Sequence, residues 1–267
     1  MVYLYDERSF YQSVLIQVFV GMMGFHHALF NAGIFSWLVF MKFLYWFYSG
    51  LCHQNPTRTL FSGNVYYVVC ARDAGIYEGI AFGIIVILLL YMSRGKAPTN
   101  FPGLFTLIIL GLTSVPIVLD TGLSSIGVWP SSNEIRLMTG LYFGFAISAF
   151  LSLAFFEILT RFSRFSLLQR VRLFDEWWAL AIFILIPMGL WAAVLFLSYI
   201  FFFVSAISVF LSIWFGNLVF FTALIRKKTQ RNAALAVGIA IFAAAAEMAF
   251  IASLRLLLAS YLKFSPF

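Results

Sequence analysis

Two cysteines, a histidine and an aspartate lie in one polar stretch between apolar runs. Cys52 and His53 are adjacent, and Cys70 precedes Asp73 by three residues. Thiolate, imidazole and carboxylate groups are ligands that zinc and iron accept. Cys52 and Cys70 are also the only cysteines, and two cysteines facing an oxidising compartment commonly form a structural disulfide. The stretch therefore indicates a zinc or iron site, a disulfide, or free thiols with unrelated roles, and the spacing leaves all three open.

A second set of polar residues has the chemistry to bind an anion. Arg58 and Arg72 share the cysteine-containing stretch, and Arg136 follows Asn133 in a later polar segment. A guanidinium group can hold a phosphate or carboxylate through two parallel hydrogen bonds. Asp120 is then a candidate catalytic base or metal ligand, and Asn133 a candidate for orienting the bound group.

The same polar residues also have a structural explanation. In it, Asp120 pairs with Arg136, and Ser132 or Asn133 caps the helix that follows. The sequence does not choose between the binding site and this structural network.

Membrane helices must position these residues. Hydrophobic residues make up 63% of the chain, charged residues only 10%, and the mean hydropathy is +0.98. A soluble domain cannot bury so much apolar surface. A span takes roughly 20 apolar residues, so the chain has room for six or seven spans with short loops. The composition predicts an all-α, polytopic transmembrane helical bundle.

Seven apolar runs are expected to cross the bilayer. The run 177–225 is too long for one crossing and divides into two spans, with a turn near 198–205. Residues 14–24 are too few for a span and contain Gln17, which favours an N-terminal interfacial helix. The predicted spans are 28–50, 74–92, 103–120, 137–159, two within 177–225, and 233–258.

Lysine and arginine collect in alternate loops, and this pattern predicts the topology. By the positive-inside tendency these loops are cytoplasmic, and the loops around Cys52 and Asn133 face outward. The net charge of +7 does not indicate nucleic acid, because the basic residues form small groups between apolar runs. The basic groups are Arg94 and Lys96; Arg161, Arg164, Arg170 and Arg172; and Arg226, Lys227, Lys228 and Arg231.

Glycines recur every four residues on the second and fourth spans. They are Gly75, Gly79 and Gly83 on the second, and Gly140 and Gly144 on the fourth. Small residues at this spacing let transmembrane helices approach closely. We expect the two spans to touch near their outer ends, which would bring the two outward loops together.

The outward loops carry motifs of a known family. A Cys-His-Gln-x-Pro-x-Arg segment starts at Cys52, and an Asn-x-x-Arg-x-x-Thr-Gly segment starts at Asn133. The segment from Cys70 is similar to Cys-Ala-Arg-Cys-Thr-Gly-Ile-Tyr, with Asp73 and Ala74 replacing the second cysteine and the threonine. In order, spacing and position at helix ends, residues 51–144 resemble the prokaryotic membrane-protein family called domain of unknown function 2085.

The resemblance implies a site at the outer face and assigns no reaction to it. It also implies two parts of one membrane domain. Residues 1–160 would hold the interfacial helix and a family-like core of four spans, and residues 161–267 a three-span extension. A role that needs all three family cysteines is not carried over, because Asp73 takes the place of one.

Two charges fall near the middle of predicted spans. Lys42 and Glu247 each lie about fourteen residues from the cytoplasmic end, or roughly 21 Å at helical rise. We predict that they pair, either as structural support between helices or as part of a proton or ion path.

Three functions fit these features, and the sequence does not decide whether the protein is an enzyme. The first is a membrane enzyme whose outward site takes an anionic ligand, lipid-linked or a small molecule. The second is a carrier or channel that uses the Lys42–Glu247 pair. The third is a membrane scaffold whose outer loops dock another protein.

Overall fold

The computed structural model describes residues 30–52, 54–62, 65–160, 167–224 and 230–262. Seven α-helices lie in these ranges, and α2 to α7 are each long and apolar enough to cross a membrane. The prediction of an all-α, polytopic helical bundle is confirmed. The helices are α1 (Phe30–Ser49), α2 (Ala71–Met92), α3 (Leu104–Ser125), α4 (Asn133–Leu159), α5 (Trp177–Phe196), α6 (Ser198–Leu224) and α7 (Gln230–Leu262).

Several helix ends differ from the predicted spans because polar residues continue the helix beyond the apolar run. Helix α2 begins at Ala71, and α3 continues to Ser125, beyond Asp120. Helix α4 begins at Asn133 because the Ser132 hydroxyl accepts a hydrogen bond from the backbone N–H of Ile135 at 3.4 Å. The interfacial helix expected at 14–24 lies outside the described residues.

The predicted turn between the fifth and sixth spans is misplaced by a few residues. The break falls at Leu197, and α6 already includes the range 198–205. The Leu197 backbone N–H donates to Ala193 of α5, while its carbonyl accepts from Ile200 and Phe201 of α6. One residue therefore ends one helix and starts the next without a loop.

The described residues fall into two compact units, one within Met1–Cys70 and Met248–Phe267, the other within Ala71–Glu247. The predicted division near residue 160 stays a prediction. The first unit contains α1, the last part of α7, a 3-10 helix (Pro56–Arg58), and the antiparallel strands β1 (Phe61–Ser62) and β2 (Val65–Tyr66).

Helices α1 and α7 meet closely in the first unit. A Cβ atom added at Gly50 would lie 2.7 Å from the backbone nitrogen of Ala252. Arg255 Nη1 donates to the carbonyl oxygen of Ser49 and, at 2.8 Å, to that of Cys52. The first bond satisfies a carbonyl at the end of α1 that has no partner within the helix, and the second binds the chain three residues beyond it.

The second unit is built on α2 and α4. A Cβ atom added at Gly79 would lie 2.5 Å from the carbonyl oxygen of Leu141 and 2.9 Å from the Cα atom of Gly144. Gly75 and Gly140 occupy an equally tight contact one turn closer to the helix starts. The predicted contact of the second and fourth spans at this end is confirmed.

A short parallel sheet lies at the opposite end of α2. Strand β3 (Lys96–Asn100) pairs with β4 (Gln169–Arg172), with Lys96 opposite Gln169. Glu176 accepts hydrogen bonds from Arg94 Nη1 at 2.9 Å and Lys96 Nζ at 2.6 Å. The hydrogen bond from Lys96 is the main reason that the pKa of Glu176 lies below its usual value. The two predicted basic loops that contain these strands therefore meet at one end of the unit.

Candidate functional site

A partly buried ion pair lies where α2 begins. Arg72 is in the first turn of α2, and Asp120 is on α3, a turn and a half before that helix ends. Arg72 Nη2 donates to Asp120 Oδ2 at 2.5 Å, and the Asp120 side chain is only 4% exposed. The structure thus brings together two of the residues selected from the sequence, and Arg72 is a partner of Asp120.

The second turn of α4 lies beside the first turn of α2. A Cβ atom added at Gly140 would lie 2.4 Å from the carbonyl oxygen of Arg72. On α4, Arg136 Nη1 donates to Asn133 Oδ1 at 3.1 Å, so these two predicted site residues also contact each other. The predicted cap through Ser132 is confirmed, since its hydroxyl accepts the backbone N–H of Ile135.

The Arg72–Asp120 pair leaves hydrogen-bonding capacity unused. Within the described residues, Arg72 Nε and Asp120 Oδ1 are buried and have no hydrogen-bond partner. Buried polar atoms normally have a hydrogen-bond partner, because a buried group without one has lost its hydrogen bonds to water and gained none in return. One of the two atoms is a donor and the other an acceptor. A ligand group with both an acceptor and a donor oxygen, such as a phosphate monoanion or a carboxylic acid, has the matching chemistry.

The two cysteines are neighbours in the first unit. Cys52 is buried, Cys70 is half-buried, and both are thiols. Their sulfur atoms lie within 4.8 Å of each other, and the Cys70 backbone N–H donates to Cys52 Sγ at 3.2 Å. Gln54 has a positive φ of 50°. Its Nε2 donates hydrogen bonds to the backbone carbonyls of Tyr45 and Val68, both at 2.9 Å, and so connects the end of α1 to the segment before Cys70.

The thiol pair suits either of the two predicted roles. Two thiolates at this separation can ligate one zinc or iron ion, and they can also be joined by oxidation. Of the other candidate ligands, His53 lies outside the described residues. Asp73 is in the first turn of α2, in the second unit. The choice between metal and disulfide stays a prediction.

Three further candidates are Arg58 and Lys42, in the first unit, and Glu247, in the second. Arg58 is exposed in the 3-10 helix of the first unit, and Lys42 is exposed on α1. Glu247, on α7, accepts a hydrogen bond from Asn217 Nδ2 of α6 at 3.0 Å. The predicted roles of Arg58 and of a Lys42–Glu247 pair stay predictions.

Sequence reasoning did not select Glu78. The residue lies near the start of the second span, and its side chain is 0% exposed. Both carboxyl oxygens lack a hydrogen-bond partner among the described residues, and so does the hydroxyl of Ser205 on α6. The Ser205 hydroxyl does interact with the carboxyl group, outside normal hydrogen-bond geometry. The available signal was an acidic residue two turns into an apolar helix.

Six apolar helices of spanning length, two of which pack through glycine contacts, define a polytopic α-helical membrane protein. Residues 52–150 match the family model described as predicted membrane protein (DUF2085). An uncharacterized protein of Methanocaldococcus jannaschii is 32% identical over 161 residues, which cover 57% of this chain and 96% of that protein. The chain belongs to the DUF2085 family, as its motifs predicted. No solved structure matches it.

Proposed function

We propose that this membrane protein binds a phosphate- or carboxylate-bearing ligand where α2 and α4 begin. The observation that supports this most is the Arg72–Asp120 pair, whose Nε donor and Oδ1 acceptor are both buried and unmet. A ligand that satisfies both atoms would gain the free energy that two unpaired buried atoms forfeit.

The hydrogen-bond donors around the pair suit an anion. Arg72 and Arg136 lie near the starts of α2 and α4, alongside the carboxylates of Asp73, Asp120 and Glu134. Helix N-termini add partial positive charge and backbone N–H donors. Asp120 would then exchange a proton with the bound group, and Asn133 would hold Arg136 in place.

The site would face the outside of a prokaryotic cell membrane. Arg94, Lys96, Arg170 and Arg172 lie at the other end of the second unit, in loops joined by β3 and β4. Basic loops favour the cytoplasmic side, which leaves the Arg72–Asp120 end in the outer leaflet. A membrane enzyme acting on a lipid-linked or small anionic substrate would need its site at this depth.

Phosphate binding to the purified protein in detergent tests the proposal. Isothermal titration with inorganic phosphate should give saturable binding, and Arg72→Gln should weaken it roughly tenfold or more because a charge-assisted hydrogen bond is lost. Asp120→Asn should tighten it, because the competing negative charge is removed while an acceptor remains. Arg172→Gln, at the other end of the unit, is the matched control and should bind normally. Equal weakening by Arg72→Gln and Arg172→Gln would show nonspecific attraction and reject the site.

A second pair of measurements separates a lipid headgroup from a free anion. The protein is placed in nanodiscs of phosphatidylcholine alone or of phosphatidylcholine with phosphatidate, and its thermal stability is compared. Stabilisation by phosphatidate that Arg72→Gln removes would assign a lipid phosphate. Stabilisation by inorganic phosphate alone would assign a soluble ligand.

A carrier is the second candidate, and Glu78 favours it. Glu78 lies six residues beyond Arg72 on α2, roughly 9 Å further along the helix. A second polar group at that depth lies within the membrane, as a transport path would require. Uptake of labelled phosphate into proteoliposomes tests this candidate. Binding without uptake would reject the carrier and favour the membrane enzyme.

A further inference from the structure

The most unusual polar group in the second unit is the carboxyl group of Glu78. It is 0% exposed, it lies on a membrane-spanning helix, and neither of its oxygens has a hydrogen-bond partner in the described residues. An acidic side chain in such a place is costly unless something neutralises or solvates it. The arrangement therefore requires a bound partner for the carboxyl group.

Helix α6 presents a polar face to α2 beside this carboxyl group. Ser205, Ser208 and Ser212 are spaced three and four residues apart, which places them on one side of α6, and all three are buried. The Ser212 hydroxyl donates to the carbonyl of Tyr77 at 3.1 Å, next to Glu78 in the chain. The Ser205 hydroxyl is buried and unmet, like the carboxyl oxygens it faces.

Charged groups on the neighbouring helices lie toward the helix ends. Helices α5 and α6 contain no acidic or basic residue. On α4, Glu134 and Arg136 are in or next to the first turn, and Glu157 is in the last. On α2, Asp73 is in the first turn and Arg72 is already paired with Asp120. On the other packed element, β3, the basic residue is Lys96, beyond the far end of α2.

The ligand that fits this site is a proton. A calcium ion takes six to eight oxygen ligands and a magnesium ion six. The unmet oxygens on the described residues at this place are the two of Glu78 and the one of Ser205. A proton needs only one carboxyl oxygen, and the resulting O–H can donate to the hydroxyl of Ser205.

We propose that Glu78 and Ser205 form a proton-binding site between α2 and α6, inside the membrane, where the Glu78 carboxylate takes up a proton from water and returns it. The site is separate from the anion site at Arg72 and Asp120 and does not depend on it. Binding forms one O–H bond on Glu78 and transfers no electrons. Together, the two sites would let the protein couple movement of an anion to movement of a proton.

Infrared spectroscopy of the full chain in proteoliposomes tests the proposal without using any anion. At neutral pH the wild type should show a carboxylic-acid C=O band that is absent in Glu78→Gln. The band should shift when H2O is exchanged for D2O, because the site exchanges its proton with solvent. Glu134→Gln, which removes an exposed carboxylate on α4, is the matched control and should leave the band unchanged.

Ser205→Ala is a second variant that keeps the Glu78 carboxyl group. It tests the proposal even if Glu78→Gln does not fold. Loss of the hydroxyl should move the frequency of the band without removing it. A spectrum in which Glu78→Gln or Ser205→Ala leaves the carboxylic-acid region as in the wild type would overturn the proposal. So would a band that never shifts in D2O, since the proton would then be fixed. Neither result bears on phosphate binding, so the two proposals fail separately.

Discussion

Replacing Gly79 by alanine adds a methyl group where the backbones of α2 and α4 touch. The new Cβ atom would lie 2.5 Å from the carbonyl oxygen of Leu141 and 2.9 Å from the Cα atom of Gly144. Ordinary contact needs roughly 0.9 Å more, and a gap of that size forfeits a quarter to a half of each dispersion contact along the interface. Both neighbours are backbone atoms, so no side-chain rotation relieves the overlap.

The expected loss in the free energy of unfolding is about 2 kcal/mol. Overpacking against backbone falls at the upper end of the usual 1–3 kcal/mol, or about 3 kcal/mol. The higher helix propensity of alanine offsets about 1 kcal/mol of it. For a chain of this size, about 2 kcal/mol corresponds to a melting temperature lower by roughly 4–8 °C.

Thermal unfolding in detergent, followed by size-exclusion chromatography of the fluorescently tagged protein, measures this difference. Gly111→Ala on α3 is the matched control, because a Cβ atom there meets nothing within 4 Å. We expect that variant to melt at or above the wild-type temperature. If Gly79→Ala is as stable as Gly111→Ala, the close helix contact is not present in the protein.

Two further predictions concern Glu176 and the thiol pair. Glu176→Gln should lower the melting temperature at pH 7. The bond to Lys96 holds the pKa of Glu176 below 4.5, so its stabilisation is complete above pH 4.5 and is lost as the pH falls through the lowered value. Wild type and variant should therefore converge in acid, and a gap that widens there contradicts the ion pair. For Cys52 and Cys70, maleimide should label neither thiol in the purified protein. If the two form a disulfide, a reductant should make them reactive; if they hold zinc or iron, a chelator should do so. Immediate labelling of both would rule out both roles.

The sequence predicted the helices well because apolar runs and glycine spacing are local features. Runs of about 20 apolar residues located α2 to α7, the six described helices that are long and apolar enough to span, and the four-residue glycine repeat located the contact between α2 and α4. Helix ends were less predictable, since the helix stops where its last backbone groups find partners. The Ser132 cap and the shared carbonyl of Leu197 show this.

The candidate site was only partly predictable because its contacts join distant parts of the chain. Arg72, Arg136 and Arg58 were equivalent by residue type, and only the folded chain shows that Arg72 reaches Asp120, 48 positions away. The β3–β4 pairing was missed for the same reason. The burial of Glu78 depends on which face of α2 meets α6, and composition does not report that face.

The backbone contact between α2 and α4 also determines which parts of the second unit can move. Carbonyl oxygens of each helix fit against glycine Cα atoms of the other, so sliding the two helices past each other would press backbone against backbone. The two helices must therefore act as one rigid body in any conformational change. Helix α6 meets α2 through side chains such as Ser212 and can shift against that body by changing rotamers. Hinge motion, and any exchange of water with Glu78, would thus occur at the α2–α6 boundary.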